Sequence, residues 1–89
     1  MTYVVTPEPT GNPNAMRFEF EEEIFGCLNI TVDEENPPKG MPWAEALLAV
    51  PGVESLFARD DYVTVSKDPD AEWDAIQPQV VAILQGATF

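Results

Sequence analysis

The chain contains no histidine and a single cysteine, Cys27, among its 89 residues. These two shortages speak against most of the chemistry that side chains perform at neutral pH. Ordinary zinc centres draw on several cysteine or histidine ligands, and serine or cysteine triads need an imidazole to take up a proton. Redox dithiol chemistry needs two thiols within reach of each other. A cysteine-ligated cluster needs more thiolates than one copy holds, and two copies together would supply only two. An enzyme is therefore not expected, nor any resident metal or cofactor. Basic residues are scarce as well, with 4 Lys and Arg against 16 Asp and Glu and a formal net charge of -12. Phosphate backbones and anionic lipid surfaces repel such a surface, so neither nucleic acid nor membrane is an expected partner. Attraction of a basic protein or a cation is the positive reading of that charge, and simple solubility the bland one.

Long apolar runs are missing too. Nothing approaches the ~20 residues of a membrane span, and the start, Met1-Thr2-Tyr3-Val4-Val5, lacks the basic region and cleavage pattern of a leader peptide. A soluble, cytoplasmic protein is predicted, and Asn29-Ile30-Thr31 is then a chance match to a glycosylation acceptor. The length favours one domain over 1–89 with one core. Such a chain buries roughly 60 to 65% of its unfolded surface, which leaves room for a shallow surface site rather than a deep cavity.

What is present is a succession of β and helical patterns. Tyr3-Val4-Val5-Thr6 reads as a short strand closed by Pro7 and Pro9, and 8–14 as a loop rich in proline, glycine and asparagine. Met16, Phe18 and Phe20 alternate with Arg17 and Glu19, the pattern of a half-buried strand. The 24–32 run alternates Leu28, Ile30 and Val32 against Asn29 and Thr31. Glu21-Glu22-Glu23, between the two, suits a turn or a charged edge. After a polar loop over 33–40, Pro42 fits the first turn of a helix whose apolar face is Trp43, Leu47 and Val50, ended by Pro51 and Gly52. Strands at 53–58 and 61–66 are joined by Arg59-Asp60, short enough for a hairpin. Asp68 as N-cap and Pro69 at the first helical position would open a last helix through Trp73, Ile76, Val80 and Leu84, with Pro78 kinking it or splitting it in two. The order β-β-β-α-β-β-α implies an α+β domain: a mostly antiparallel sheet with two helices packed on one face.

Seven residues invite a role in binding. Asn12, Pro13 and Asn14 could meet a partner, although Asx turns would use both asparagines without one. Asp60 and Asp61 would expose two carboxylates on a rigid support, which could hold a hard cation weakly or simply be a solvated turn. Trp43 and Trp73 each open an apolar helical stripe, so core packing is the default and an interface anchor the alternative. Cys27, in an apolar strand with Arg17 and Lys39 its nearest basic residues in sequence, reads as a buried inert thiol rather than a reactive one.

Taken together, Thr10-Gly11-Asn12-Pro13-Asn14-Ala15-Met16-Arg17-Phe18, Gly52-Val53-Glu54-Ser55-Leu56-Phe57, Asp61-Tyr62-Val63-Thr64-Val65 and Glu72-Trp73 resemble, in order and spacing, the N-terminal domain of Nfu/NifU-type iron-sulfur scaffold proteins. The resemblance covers nearly the whole chain. Gly11 departs from it, standing where many members have proline. The resemblance implies a part in iron-sulfur cluster assembly or delivery, with assembly or carrier proteins as partners, while the Cys-x-x-Cys cluster-binding part of those proteins has no counterpart here. The expectation is a stand-alone, non-catalytic protein-interaction module, a monomer or weak homodimer, that docks by its acidic surface and the 8–14 loop. The alternatives are a homodimer holding a metal or cluster at its interface and a regulatory binding domain unrelated to iron-sulfur chemistry.

Overall fold

The computed structural model describes residues 3–33 and 41–87, without the side chains at 27–29. The elements are β1 (Val5–Pro9), β2 (Ala15–Phe20), β3 (Gly26–Val32), α1 (Pro42–Leu48), β4 (Val53–Asp60), β5 (Tyr62–Lys67) and α2 (Trp73–Gln85). The strands form one five-stranded antiparallel sheet in the order β1-β2-β5-β4-β3. The order of elements and the α+β class are those the patterns imply.

Alternation decides which face of the sheet is covered. Phe18, Phe20, Leu56, Ala58, Val63 and Val65 are buried, while Arg17 and Arg59, at the intervening positions, are exposed. Trp43, Ala44 and Leu47 of α1 and Ile76, Val80 and Leu84 of α2 join the same core, so both helices serve that one face. Each such aliphatic side chain contributes about 1.5–3 kcal/mol when buried, far more than local propensity offers.

Several boundaries differ from the local reading. β1 runs through Pro7 and Pro9 instead of stopping before them, so the loop begins at Thr10. The reason is position in the sheet. Phe20 donates its N–H to Asp61 O (2.7 Å), so alternate residues of β2 face β5, and Arg17 and Glu19 face β1. Thr6 and Glu8 oppose those two residues, which turns the ring nitrogens of Pro7 and Pro9 outward, where no ladder donor is needed. β3 begins at Gly26 rather than at 24, and Arg59 pairs with Tyr62, so the tip of the β4–β5 hairpin is Asp60-Asp61, one residue later than the Arg59-Asp60 link. Residues 34–40, most of the polar loop, and the thiol of Cys27 lie outside what is described.

α2 departs most from the local signals. It starts at Trp73, with Glu72 as its N-cap, not at Pro69. Asp68 instead organises a separate turn: its Oδ1 accepts the Asp70 N–H (2.9 Å) and its carbonyl accepts the Ala71 N–H (2.9 Å). Pro78 does not split the helix, which is continuous to Gln85. Pro78 and Asp74 are both exposed, so the Asp74 carbonyl that loses its donor faces water, while Ile76, Val80 and Leu84 hold the other side in the core. No helix is long and apolar enough to cross a membrane, among the described residues.

Candidate functional site

Four of the seven singled-out residues meet at one end of the sheet, and the organiser is a residue the local reading passed over. β5 continues the alternation of Val63 and Val65 by one step, which puts Lys67 on the core face with only 7% of its surface exposed. Its backbone N–H donates to Asn14 O (2.8 Å). Its ammonium donates to Asn14 Oδ1 (3.1 Å) and to Asp68 O (3.3 Å), and lies 5.8 Å from the centre of the Trp73 ring. The acceptors are neutral carbonyl oxygens and the ring adds its quadrupole, so the charge is held by dipoles rather than by a carboxylate. The signal was present in Tyr62-Val63-Thr64-Val65-Ser66-Lys67, where strict alternation predicts an inward lysine.

Trp73 ties the same loop from the other side. Its indole N–H donates to Pro13 O (2.9 Å), while the ring packs 6.5 Å from Phe18. Within the loop, Asn12 Oδ1 accepts the Asn14 N–H (2.9 Å), and Thr10 Oγ1 accepts the Asn12 N–H (3.1 Å) and donates to Ala15 O (2.9 Å). The asparagines therefore have structural work: Asn12 closes an Asx turn and Asn14 anchors Lys67. Asn12 and Pro13 stay exposed, Asn14 is half-buried and Trp73 is half-buried. The result is a loop held in one shape, with a small exposed crest at Asn12 and Pro13.

Gly52 fixes the neighbouring turn. At φ +95° it takes a conformation open to glycine, and a Cβ there would stand 2.7 Å from Ala71 Cβ and 3.0 Å from Ile76 Cδ1. Its carbonyl accepts the Asp68 N–H (2.8 Å). The Gly-Val pair of the sequence thus sets where the 68–71 turn sits and, through it, where α2 can begin.

Asp60 and Asp61 lie at the opposite end of β5, about 20 Å away for a six-residue strand. They do not form one surface with the 10–14 loop. Asp60 has φ 51°, and its carbonyl accepts the Phe25 N–H (2.9 Å), while Asp61 O accepts the Phe20 N–H (2.7 Å). The pair therefore ties down the β2–β3 crossing with its backbone, and the Asp60 carboxylate meets Arg59 Nε at 3.5 Å. No group of three potential metal-ligating side chains gathers anywhere among the described residues. Trp43 belongs to a third place. It is 7% exposed, packs 5.6 Å from Phe25, and forms part of a shallow open depression of about 360 Å³ with Ala46, Ile83 and Ala87.

Residues 5–88 match the family model described as "Scaffold protein Nfu/NifU N terminal". The chain is 34% identical to the NFU1 iron-sulfur cluster scaffold homolog, mitochondrial, of Drosophila willistoni, over 93% of its own length and 29% of that protein. It is 30% identical to conserved virulence factor C of Staphylococcus haemolyticus, over 97% of its own length and 23% of that protein. It thus spans less than a third of these curated relatives. Among solved structures, protein SAV1430 of Staphylococcus aureus superposes with a TM-score of 0.73 at 30% identity, covering 93% of this chain and 98% of that one. A NifU-like protein from Saccharomyces cerevisiae superposes with a TM-score of 0.81 at 28% identity, covering 94% and 76%.

Proposed function

This chain belongs to the Nfu/NifU N-terminal scaffold family, and on that premise we propose that it is a non-catalytic protein-interaction module of iron-sulfur cluster assembly or delivery. The observation that carries the reading is the pairing of that membership with one cysteine and no histidine in the whole sequence. A domain of a scaffold family that lacks a thiolate set contributes by docking, not by ligating iron. The 10–14 loop suits docking because Lys67 and Trp73 hold it before any partner arrives, so little conformational entropy is lost on association. Asn12 and Pro13 offer polar and apolar contact at its crest, and the partners are cluster-assembly or carrier proteins.

Affinity capture from a lysate tests this, comparing the native chain with an Asn12→Ala, Pro13→Ala variant and with an Asp61→Lys variant at the other end. Pro13→Ala keeps the carbonyl that Trp73 uses, and Asn12→Ala removes only the local Asx bond to the Asn14 N–H, so the loop stays fastened by Trp73 and Lys67. Recovery of a cysteine desulfurase, a scaffold or a Cys-x-x-Cys carrier, lost in the loop variant and kept in the Asp61 variant, is the expected result. Recovery of no assembly protein removes the iron-sulfur part of the reading. Anaerobic reconstitution with iron and sulfide is the second arm: the chain should stay colourless, and a visible chromophore would favour a cluster shared between two copies.

A further inference from the structure

Both helices cover one face of the sheet, so the side chains at the intervening positions form a second, flat face with neither helix upon it. Strand order and register fix its layout. One row runs Glu19, Tyr62 and Arg59, from β2 through β5 to β4. The next runs Glu8, Arg17, Thr64 and Phe57, from β1 to β4. The face is open across its middle, where the side chains of Arg17, Arg59 and Glu19 are 45%, 53% and 32% exposed. Aromatic surface lies among them: Tyr62 and Phe57 are only half-buried, and the Arg17 guanidinium carbon stands 5.3 Å from the centre of the Tyr62 ring. Arg17 Nη2 meets Glu19 at 3.3 Å and Arg59 Nε meets Asp60 at 3.5 Å, contacts that use one nitrogen of each guanidinium fork.

Charge on this face is unlike that of the rest of the molecule. Arg17 and Arg59 balance Glu8 and Glu19, so the formal net charge of -12 is carried entirely outside these rows. The charges are also sorted, with the carboxylates on the β1 side of β5 and Arg59 on the β3 side. A two-fold axis laid along β5, the central strand, sets such a face on its own complement. It carries Glu19 of one copy, on β2, onto Arg59 of the other, on β4 in the same row. By the same operation Arg17 meets the Phe57 ring of the other copy, and Tyr62 and Thr64 meet their own counterparts on the axis. Ion pairing, cation–π contact and aromatic packing coincide at that one placement. We infer that this face is a homodimer interface, two copies packing sheet on sheet about a two-fold along β5. Five strands of about six residues give a patch of roughly 480 Å² per copy, short of the ~800 Å² per partner of a stable interface, so the dimer is weak and reversible. Screening over a Debye length of about 8 Å at physiological ionic strength confines electrostatic opposition to groups that face one another, and here those are of opposite sign. A strongly acidic or strongly basic partner gains less, because the face as a whole is neutral.

The inference goes beyond the docking reading, since its partner is another copy of this chain and no iron-sulfur protein is involved. The test uses the full chain and two single variants on the solvent side of the sheet, Arg59→Glu and Glu19→Arg. Sedimentation equilibrium and backbone NMR follow each from about 0.02 to about 2 mM. The native chain should self-associate toward the upper end, with concentration-dependent shifts centred on 17–19 and 57–64. Each variant alone should associate about tenfold or more weaker, because like charges then face each other at both symmetry-related contacts. An equimolar mixture of the two variants should recover association, since every contact again joins opposite charges. A folding defect cannot produce that recovery, and a purely local role for either residue predicts none. A native chain that stays monomeric at about 2 mM would overturn the inference. So would shifts centred on the helices or the 10–14 loop, variants that associate as strongly as the native chain, or a mixture that associates no more strongly than its components.

Discussion

At one end of β5, Lys67 and Trp73 reach back to Asn14 and Pro13, residues 53 and 60 positions away in the chain, through side-chain hydrogen bonds. At the other end, Asp60 and Asp61 hold Phe25 and Phe20 through backbone carbonyls alone. The first end depends on which residues are present; the second depends only on where the chain runs. Substitutions should therefore separate the two ends even though each fastens a loop to the same strand.

The largest effect is expected from Lys67→Met, which fills the space but strips two acceptors of their donor. Urea unfolding should show a loss of about 2–3 kcal/mol at unchanged m, since hydrogen bonds from a charged group contribute more than neutral ones. Trp73→Phe keeps one aromatic ring but deletes the pyrrole half of the indole with its N–H to Pro13 O, so about 1–2 kcal/mol should go. Combined with Lys67→Met it should cost less than the sum, because both act on one loop, and additive losses in a double-mutant cycle would show two independent fastenings. At the other end Asp60→Gly should raise stability by about 0.5–1 kcal/mol, since φ 51° suits glycine and the carbonyl bond to Phe25 remains. Asp61→Asn should change stability by no more than about 0.5 kcal/mol. A loss of several kcal/mol there would mean that its carboxylate, and not its backbone, does the holding.

How far each end could be read in advance follows from the same contrast. β2 and α1 were legible because Phe18 and Phe20, or Trp43 and Leu47, repeat at the period of the element they build. The start of α2 was not. Asp68 and Pro69 satisfy every local rule for a helix N-terminus, yet the 68–71 turn is held against Gly52, which lies before the whole β4–β5 hairpin in the chain, and the helix waits until Trp73. β1 was misjudged for a related reason: whether proline ends a strand depends on whether its nitrogen faces a neighbour, and only the strand order settles that. At the candidate site Asn12, Pro13, Asn14 and Trp73 were all legible as unusual residues. Lys67, which joins them, was written in the alternation of β5 but has meaning only once the loop it meets is known.

Residue chemistry alone determined what this protein lacks and what it belongs to. With one cysteine and no histidine no arrangement of the chain supplies a thiolate set, and the order of its motifs marks the Nfu/NifU N-terminal family. Tertiary structure decided which of those motifs act together. It brought Asn14, Lys67 and Trp73 into one cluster, sent Asp60 and Asp61 to the far end of the same strand, and turned Pro7 and Pro9 outward on the β1 edge. Those outcomes rest on strand order and on which way each peptide unit faces, quantities fixed by pairing between distant segments and invisible to any local window.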